Sequence, residues 1–285
     1  MIDIKKHSLY KPMEVDSVLS NLFNIYLKKF LVLFISSFIA ALIIQVVFYQ
    51  LGFLELTKIS DQEEMIAAFL GMRNELIIGS VTYFVIYGML ICFLINYIIR
   101  SDVDSDLSLK ETLVNSIKNN SVHLIFFLIL SMVIIILGAF LGVIVLIIGS
   151  FLAMFYLVTV LVPGGAIIVA EDKNAFEAIR RAFSLTHKDF WSTLGAVILY
   201  FLIMILIMIV MNAIVAIPFV FKFVSNWQET NSFREIFNMQ SYDIGSWVII
   251  LNSIVAAVTY PFFAILSVVM YFKLKFIEDQ NTLIQ

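Results

Sequence analysis

The sequence predicts an all-α, polytopic membrane protein with six spans, and three observations carry that reading. The chain of 285 residues is 62% hydrophobic and 14% charged, with a mean hydropathy of +1.02. A soluble domain is near half apolar and about a quarter charged. The excess lies in runs without a single Asp, Glu, Lys or Arg: Phe30–Gln50, Leu76–Ile99, Ser121–Ala170, Phe190–Phe221 and Ile244–Phe272. A run of about 18 or more such residues is long enough to cross a bilayer as a helix. Finally, the basic residues crowd into alternate connections between the runs.

Taken in order, the runs place spans at about 30–49, 77–99, 122–140, 147–170, 190–217 and 246–272, within a single integral membrane domain covering 1–285. Ser121–Ala170 holds 50 residues, while one crossing needs about 20. It is therefore expected to cross twice, turning near Gly138, Gly142 or Gly149. The last two runs exceed the bilayer thickness, so tilt or projecting ends are expected. The polar, lysine-containing stretch before Phe30 has no cleavage-type site, and the first run reads as a retained helix.

Charge sets the orientation. Lys5, Lys6, Lys11, Lys28, Lys29, Arg100, Lys110, Lys118, Lys173, Arg180, Arg181, Lys188, Lys273 and Lys275 fall on one side. The other side holds Lys58, Arg73, Lys222 and Arg234. Basic loops stay inside, so both termini are expected in the cytoplasm of a bacterium, with the spans in its inner membrane. Trp191 and Trp247 stand at span ends, where interfacial anchors belong.

The segments before spans 1, 3 and 5 resemble one another. Superposing Leu19, Leu113 and Ile179 aligns Phe23 with Ile117 and Phe183, Phe30 with Leu124 and Phe190, and Lys28 with Lys188. Each reads as a short amphipathic helix leading into a span, giving three repeated units of interfacial helix plus hairpin. In the third copy Ala175, Phe176, Ile179, Ala182 and Phe183 share a stripe, and Asn174 with Glu177 has capping-box spacing. Ser108 and Glu111 repeat the box, while Glu14 and Ser17 lose it. Short helices are also expected over Asp61–Met72 and Asn231–Met239 on the far side.

Two stretches carry a resemblance to a known family. One is Pro163-Gly-Gly-Ala-Ile-Ile-Val-Ala-Glu-Asp-Lys-Asn, running on into Glu177-Ala-Ile-Arg-Arg-Ala-Phe-Ser-Leu-Thr and Phe190-Trp191; the other is Tyr260-Pro261 with Tyr271-Phe-Lys-Leu-Lys. The chain resembles the membrane domain attached to some bacterial glycerophosphodiester phosphodiesterases and similar stand-alone inner-membrane proteins. The family pattern often closes on tyrosine, an acidic residue and arginine; here Phe272, Lys273 and Lys275 stand there. The family's catalysis resides in a separate soluble domain, for which the spans leave no residues. The resemblance thus implies a membrane module without phosphodiesterase activity.

Chemistry is sparse. None of the spans carries Asp, Glu, Lys or Arg, which speaks against proton relays and charged filters. His7, His123 and His187 lack metal-ligand spacing, so no metal or other cofactor is expected. Cys92, inside a span, reads as packing. A net charge of −3 gives no reason to expect nucleic acid. Gly138 and Gly142 have helix-packing spacing. Gln45, Asn96, Thr159, Asn212, Asn252 and Thr259 are expected to make interhelical hydrogen bonds.

Three prolines, Pro163, Pro218 and Pro261, each remove a backbone donor within a span. Pro163, Gly164, Gly165 and Pro261 are accordingly candidates for a hinge or lipid-facing groove. The leading functional expectation is a non-enzymatic module that organises, senses or handles lipid. Its partners would be anionic headgroups, met by Arg180, Arg181, Lys188, Lys28 and Lys29. The alternative is a transporter or channel for an apolar or amphiphilic molecule, with a cavity at Asn96, Asn212 or Asn252. An enzyme would need Glu171, Asp172, Glu177, Arg180, Arg181 and His187 to converge.

Overall fold

Lys29 separates two helices of different character. Helix α1 (Val15–Lys28) is amphipathic and buries Val18, Leu22 and Tyr26. Helix α2 (Phe30–Gln50) is apolar all round, and on one side it exposes Leu31, Ile35, Ile39 and Ile43. A helix that is apolar on every face suits a bilayer. The computed structural model describes residues 4–56, 59, 61–104, 108–144, 147–227 and 245–284. Among these, six helices are long and apolar enough to cross a membrane. The chain is a multi-pass helical membrane protein.

After α2 come the single turn α3 (Phe53–Leu56) and α4 (Gln62–Gly71). The Asp61 carboxylate caps α4 by accepting from the Glu63 and Glu64 amides, the cap expected there. Its apolar set, Met65, Ile66, Phe69 and Leu70, is exposed. The matching expectation at Asn231–Met239 falls outside the described residues. Span α5 (Arg73–Arg100) returns the chain to its starting side.

There, α6 (Leu109–Asn115) passes through a π-helical turn at Ser116–Asn120 into α7 (Ser121–Val143). Helices α8 (Ile147–Leu161) and α9 (Gly164–Glu171) return as one span broken at Val162–Pro163, and α10 (Ala175–Thr186) follows. A 3-10 turn at His187–Asp189 leads into α11 (Phe190–Trp227), and α12 (Gly245–Ile284) closes the chain.

Helix α12 is the axis of the bundle. It packs on α2, α5, α9 and α11 and takes α1 across its basic end. Phe262, Ala264, Ile265, Leu266, Val268 and Val269 are all buried along it. Tyr26 stacks on Phe262 with ring centroids 4.5 Å apart, fixing α1 to the axis. The helix continues beyond the uncharged run into a polar last third that reaches Ile284.

Helix α7 ends at Val143 and α8 begins at Ile147, so the chain turns between Gly142 and Gly149, in the expected stretch. Two expectations need correction, on the polar groups of the spans and on the prolines, while the glycine spacing serves packing as expected. A Cβ on Gly142 would sit 2.5 Å from the Gly149 carbonyl oxygen, so glycine lets the two backbones touch.

The intramembrane hydroxyls and amides bond mainly along their own helices. Thr159 donates to the Phe155 carbonyl (2.7 Å), Asn212 to Met208 (2.7 Å), Thr259 to Val255 (3.0 Å) and Asn96 to Cys92 (3.1 Å). A carbonyl one turn back is the nearest acceptor in an apolar span.

Of the three prolines, only Pro163 breaks its helix. Helices α11 and α12 run on through Pro218 and Pro261. Pro163 is followed by Gly164-Gly165, and each glycine disfavours helix by about 1 kcal/mol. A phenylalanine follows each of the other two.

Candidate functional site: the basic end of the bundle

Helix α10 is positioned from its N-terminal end. Asp172 ends α9 in a left-handed conformation (φ 54°), which aspartate tolerates better than most residues. Two residues on, Asn174 starts α10 with a complete capping box. Its side chain accepts from the Glu177 amide (3.0 Å), and the Glu177 carboxylate accepts from the Asn174 amide (3.3 Å). The helix then lies on α7, α8 and α9 through Ala175, Ala178, Ala182 and Leu185, all buried. The docked face is this alanine stripe, while Phe176 is 64% exposed. Small side chains permit the closest approach, so they win the interface over larger ones.

That placement carries Arg181 into an ion network. Its Nε lies 3.1 Å from Glu171 Oε2, and its Nη1 donates to Glu278 Oε1 at 2.8 Å. A second Nη donates to the other Glu278 oxygen. Lys188 reaches Glu278 at 2.7 Å, and Lys275 reaches Glu278 and Asp279 at 2.9 Å each. Tyr10 donates to Asp279 (2.7 Å), and Tyr271 to Glu171 (3.3 Å). Three cations thus meet three carboxylates from α9, α10, the following turn and α12, with the Tyr10 hydroxyl joining from the N-terminal stretch.

Arg181's hydrogen bonds hold the Glu278 carboxyl far below the ordinary range, against the opposing effect of burial. Burial first, and then Asp279, push the Tyr10 hydroxyl up to about 12. Beside the network, Lys273 is 1% exposed and pairs with Asp189 (2.8 Å) and Ser192 (2.7 Å).

The N-terminal stretch is part of the same end. His7 is buried and stacks on Phe272 with centroids 4.1 Å apart. Its Nδ1 accepts from the Leu9 amide (3.1 Å) and lies 3.5 Å from Asp102. Burial pushes its pKa down. Leu9 and Met13 are buried alongside.

The expected headgroup residues divide into two groups. Arg181 and Lys188 belong to the ion network. Arg180 points away from it, exposed, at a shallow pocket of about 420 Å³ beside His123, Phe126 and Phe176. Lys28 is exposed. Lys29 donates to Ser101, and its ammonium stands 5.4 Å from the Tyr97 ring. Both border a pocket of about 650 Å³ between α1, α2 and α5.

Pro163, Gly164 and Gly165 are all buried. A Cβ on Gly164 would lie 2.1 Å from Phe127 Cζ, and one on Gly165 2.9 Å from Ile95 Cδ1. The triplet therefore faces the bundle interior and lines no groove open to lipid. Ser267 Oγ accepts from the Ala166 amide at 3.1 Å, capping α9 from α12. Pro261 is buried within a continuous α12.

The acid–base set around α10 disperses. Glu171 joins Arg181, but Glu177 is taken up in the cap, and His187 bonds Tyr156 (3.0 Å) and the Phe183 carbonyl (2.7 Å). Asn96 is buried, while Asn212 and Asn252 are exposed on α11 and α12, so the three line no common cavity. Sequence reasoning missed Glu278, Asp279 and Tyr10. The Lys275–Glu278–Asp279 spacing of three and four residues was the available signal for the first two; nothing local pointed to Tyr10. No protein-family model, curated protein or solved structure matches this chain.

Proposed function

We propose that this protein is a non-enzymatic membrane module that gathers anionic lipid at its basic end, in the inner membrane of a bacterium, with both termini cytoplasmic. The observation that carries the reading is the company its unpaired cations keep. Lys11, Lys28 and Arg180 are exposed and have no ion-pair partner among the described residues. Around them stand exposed apolar side chains: Leu27 (69%), Leu31 (69%), Phe176 (64%) and Trp191 (81%). Cations and bulky apolar groups exposed side by side suit the headgroup level of a membrane.

Three repeated units give this end its layout. Under the alignment of Leu19, Leu113 and Ile179, the helix starts Val15, Leu109 and Ala175 coincide. The packing is cyclic. Helix α1 of the first unit lies on α11 and α12 of the third, α6 of the second on α5 of the first, and α10 of the third on α7 and α8 of the second. Each interfacial helix thereby locks its unit to the one before, as expected of duplicated parts closed into a ring. The likeness of Pro163–Asn174 to membrane domains joined to glycerophosphodiester phosphodiesterases accords with a module of this kind.

The test is native mass spectrometry of the detergent-purified protein offered phosphatidylglycerol and phosphatidylcholine of equal chain length. Retention of phosphatidylglycerol over phosphatidylcholine is expected; equal retention refutes the reading.

A further inference from the structure

The pocket between α1, the start of α2 and the end of α5 sets three lysines against an apolar wall at the basic end. Its wall carries Lys11, Lys28 and Lys29, with Asn24 and Tyr97 beside them. Lys29 is held in place by Ser101 and the Tyr97 ring, and among the described residues no carboxylate lies within ion-pair distance of it. The carboxylates in the lining are Asp102 and Asp104. Asp102 turns toward the N-terminal stretch, accepting from the Ser8 amide (2.9 Å) beside His7. The cavity of about 870 Å³ beside the ion network also carries cations, Lys5 and Lys173 among them, but its lining includes the Glu171 and Asp279 carboxylates of that network, and its Arg181 and Lys275 are already met by Glu171, Glu278 and Asp279. The first pocket also has an apolar side, at Leu9, Ile25 and Val32. Val32 adjoins the exposed Leu31, Ile35, Ile39 stripe that runs down α2.

We propose that this pocket binds the phosphate of one anionic phospholipid, with Lys28 and Lys29 as its cationic wall and the acyl chains lying along α2. Two adjacent ammonium groups, one of them tethered, form a compact positive site suited to a phosphate. Burial and the neighbouring Lys28 both lower the pKa of Lys29, with Asp102 opposing them. A bound phosphate would relieve that strain on the charge. The apolar side distinguishes a lipid from a free phosphate, since a soluble anion has no use for it. This inference rests on the lipid-gathering reading and narrows it to one site.

The experiment is a titration of the full chain in detergent with short-chain phosphatidylglycerol, read by native mass spectrometry. It compares the wild type with Lys28→Gln/Lys29→Gln, Lys28→Glu and Arg180→Gln. Lys28 is exposed, so its single replacement leaves the fold intact even if loss of the Lys29 tether does not. The double variant is expected to bind the first lipid about tenfold more weakly, and Lys28→Glu to weaken it too. Arg180→Gln should leave that first site unchanged. An unchanged first site in the Lys28 and Lys29 variants overturns the proposal. Its loss in Arg180→Gln instead would move the site to α10 and leave the general reading standing. Absence of any phosphatidylglycerol preference in the wild type would sink both. Displacement of the lipid by a modest excess of inorganic phosphate would identify a soluble anion as the occupant and also overturn the proposal.

Discussion

Glu278 accepts from three cations at once: Arg181, Lys188 and Lys275. With its side chain 12% exposed, the carboxylate depends on those partners for its charge. The sign of its pH dependence follows. Its pKa when folded lies far below the ordinary 4.5, so its contribution is complete above that value and is lost as pH falls through the folded pKa. Thermal unfolding in detergent should therefore occur at lower temperature as pH drops below about 4.5. Glu278→Gln should flatten that dependence and cost about 3 kcal/mol at neutral pH, because it leaves Arg181 with Glu171 alone and Lys188 without its carboxylate. A pH profile identical to the wild type would remove Glu278 from the centre of the network.

At the scale of elements, what was legible follows from the range of each interaction. Capping pairs such as Asp61 with Glu63 and Glu64, and Asn174 with Glu177, act within one turn, so spacing alone revealed them. Spans were legible because a bilayer demands length and apolarity and little else. The docked face of α10 was legible in part. Ala175 and Ala182 of the expected stripe are buried and Ile179 and Phe183 pack on the core, but Phe176 is exposed and Ala178 is buried instead, which the shape of α7, α8 and α9 decides. The role of Pro163–Gly165 was half legible: the break was foreseen, but its buried position depends on Phe127 and Ile95, distant in sequence. That close fit is testable. Gly164→Ala should destabilise by about 1–3 kcal/mol through overpacking. Phe127→Leu in the same chain should restore part of the loss, a coupling visible in a double-mutant cycle of unfolding temperatures. Additive effects would mean that α9 and α7 are not in contact there.

At the scale of the whole molecule, both ends of the chain meet at one face of the bundle, tied by Tyr10 to Asp279 and by His7 to Phe272. An even number of spans puts both ends on one side, packing then brings them together there, and the positive-inside rule predicts which side faces the cytoplasm. In a Cys92→Ala background, a cysteine at exposed Ser184 should resist a membrane-impermeant maleimide in intact cells, and one at exposed Glu63 should react. The reverse pattern would invert the orientation.

The central claim, that the basic end gathers anionic lipid, is most directly tested in the membrane itself. Polymer-bounded nanodiscs cut from native membranes carry the lipids that surround the protein in place. Nanodiscs holding the wild type should be enriched in anionic lipid over the bulk membrane, and those holding the Lys28, Lys29 and Arg180 glutamine variant should match the bulk. A wild-type nanodisc with bulk composition would contradict the account.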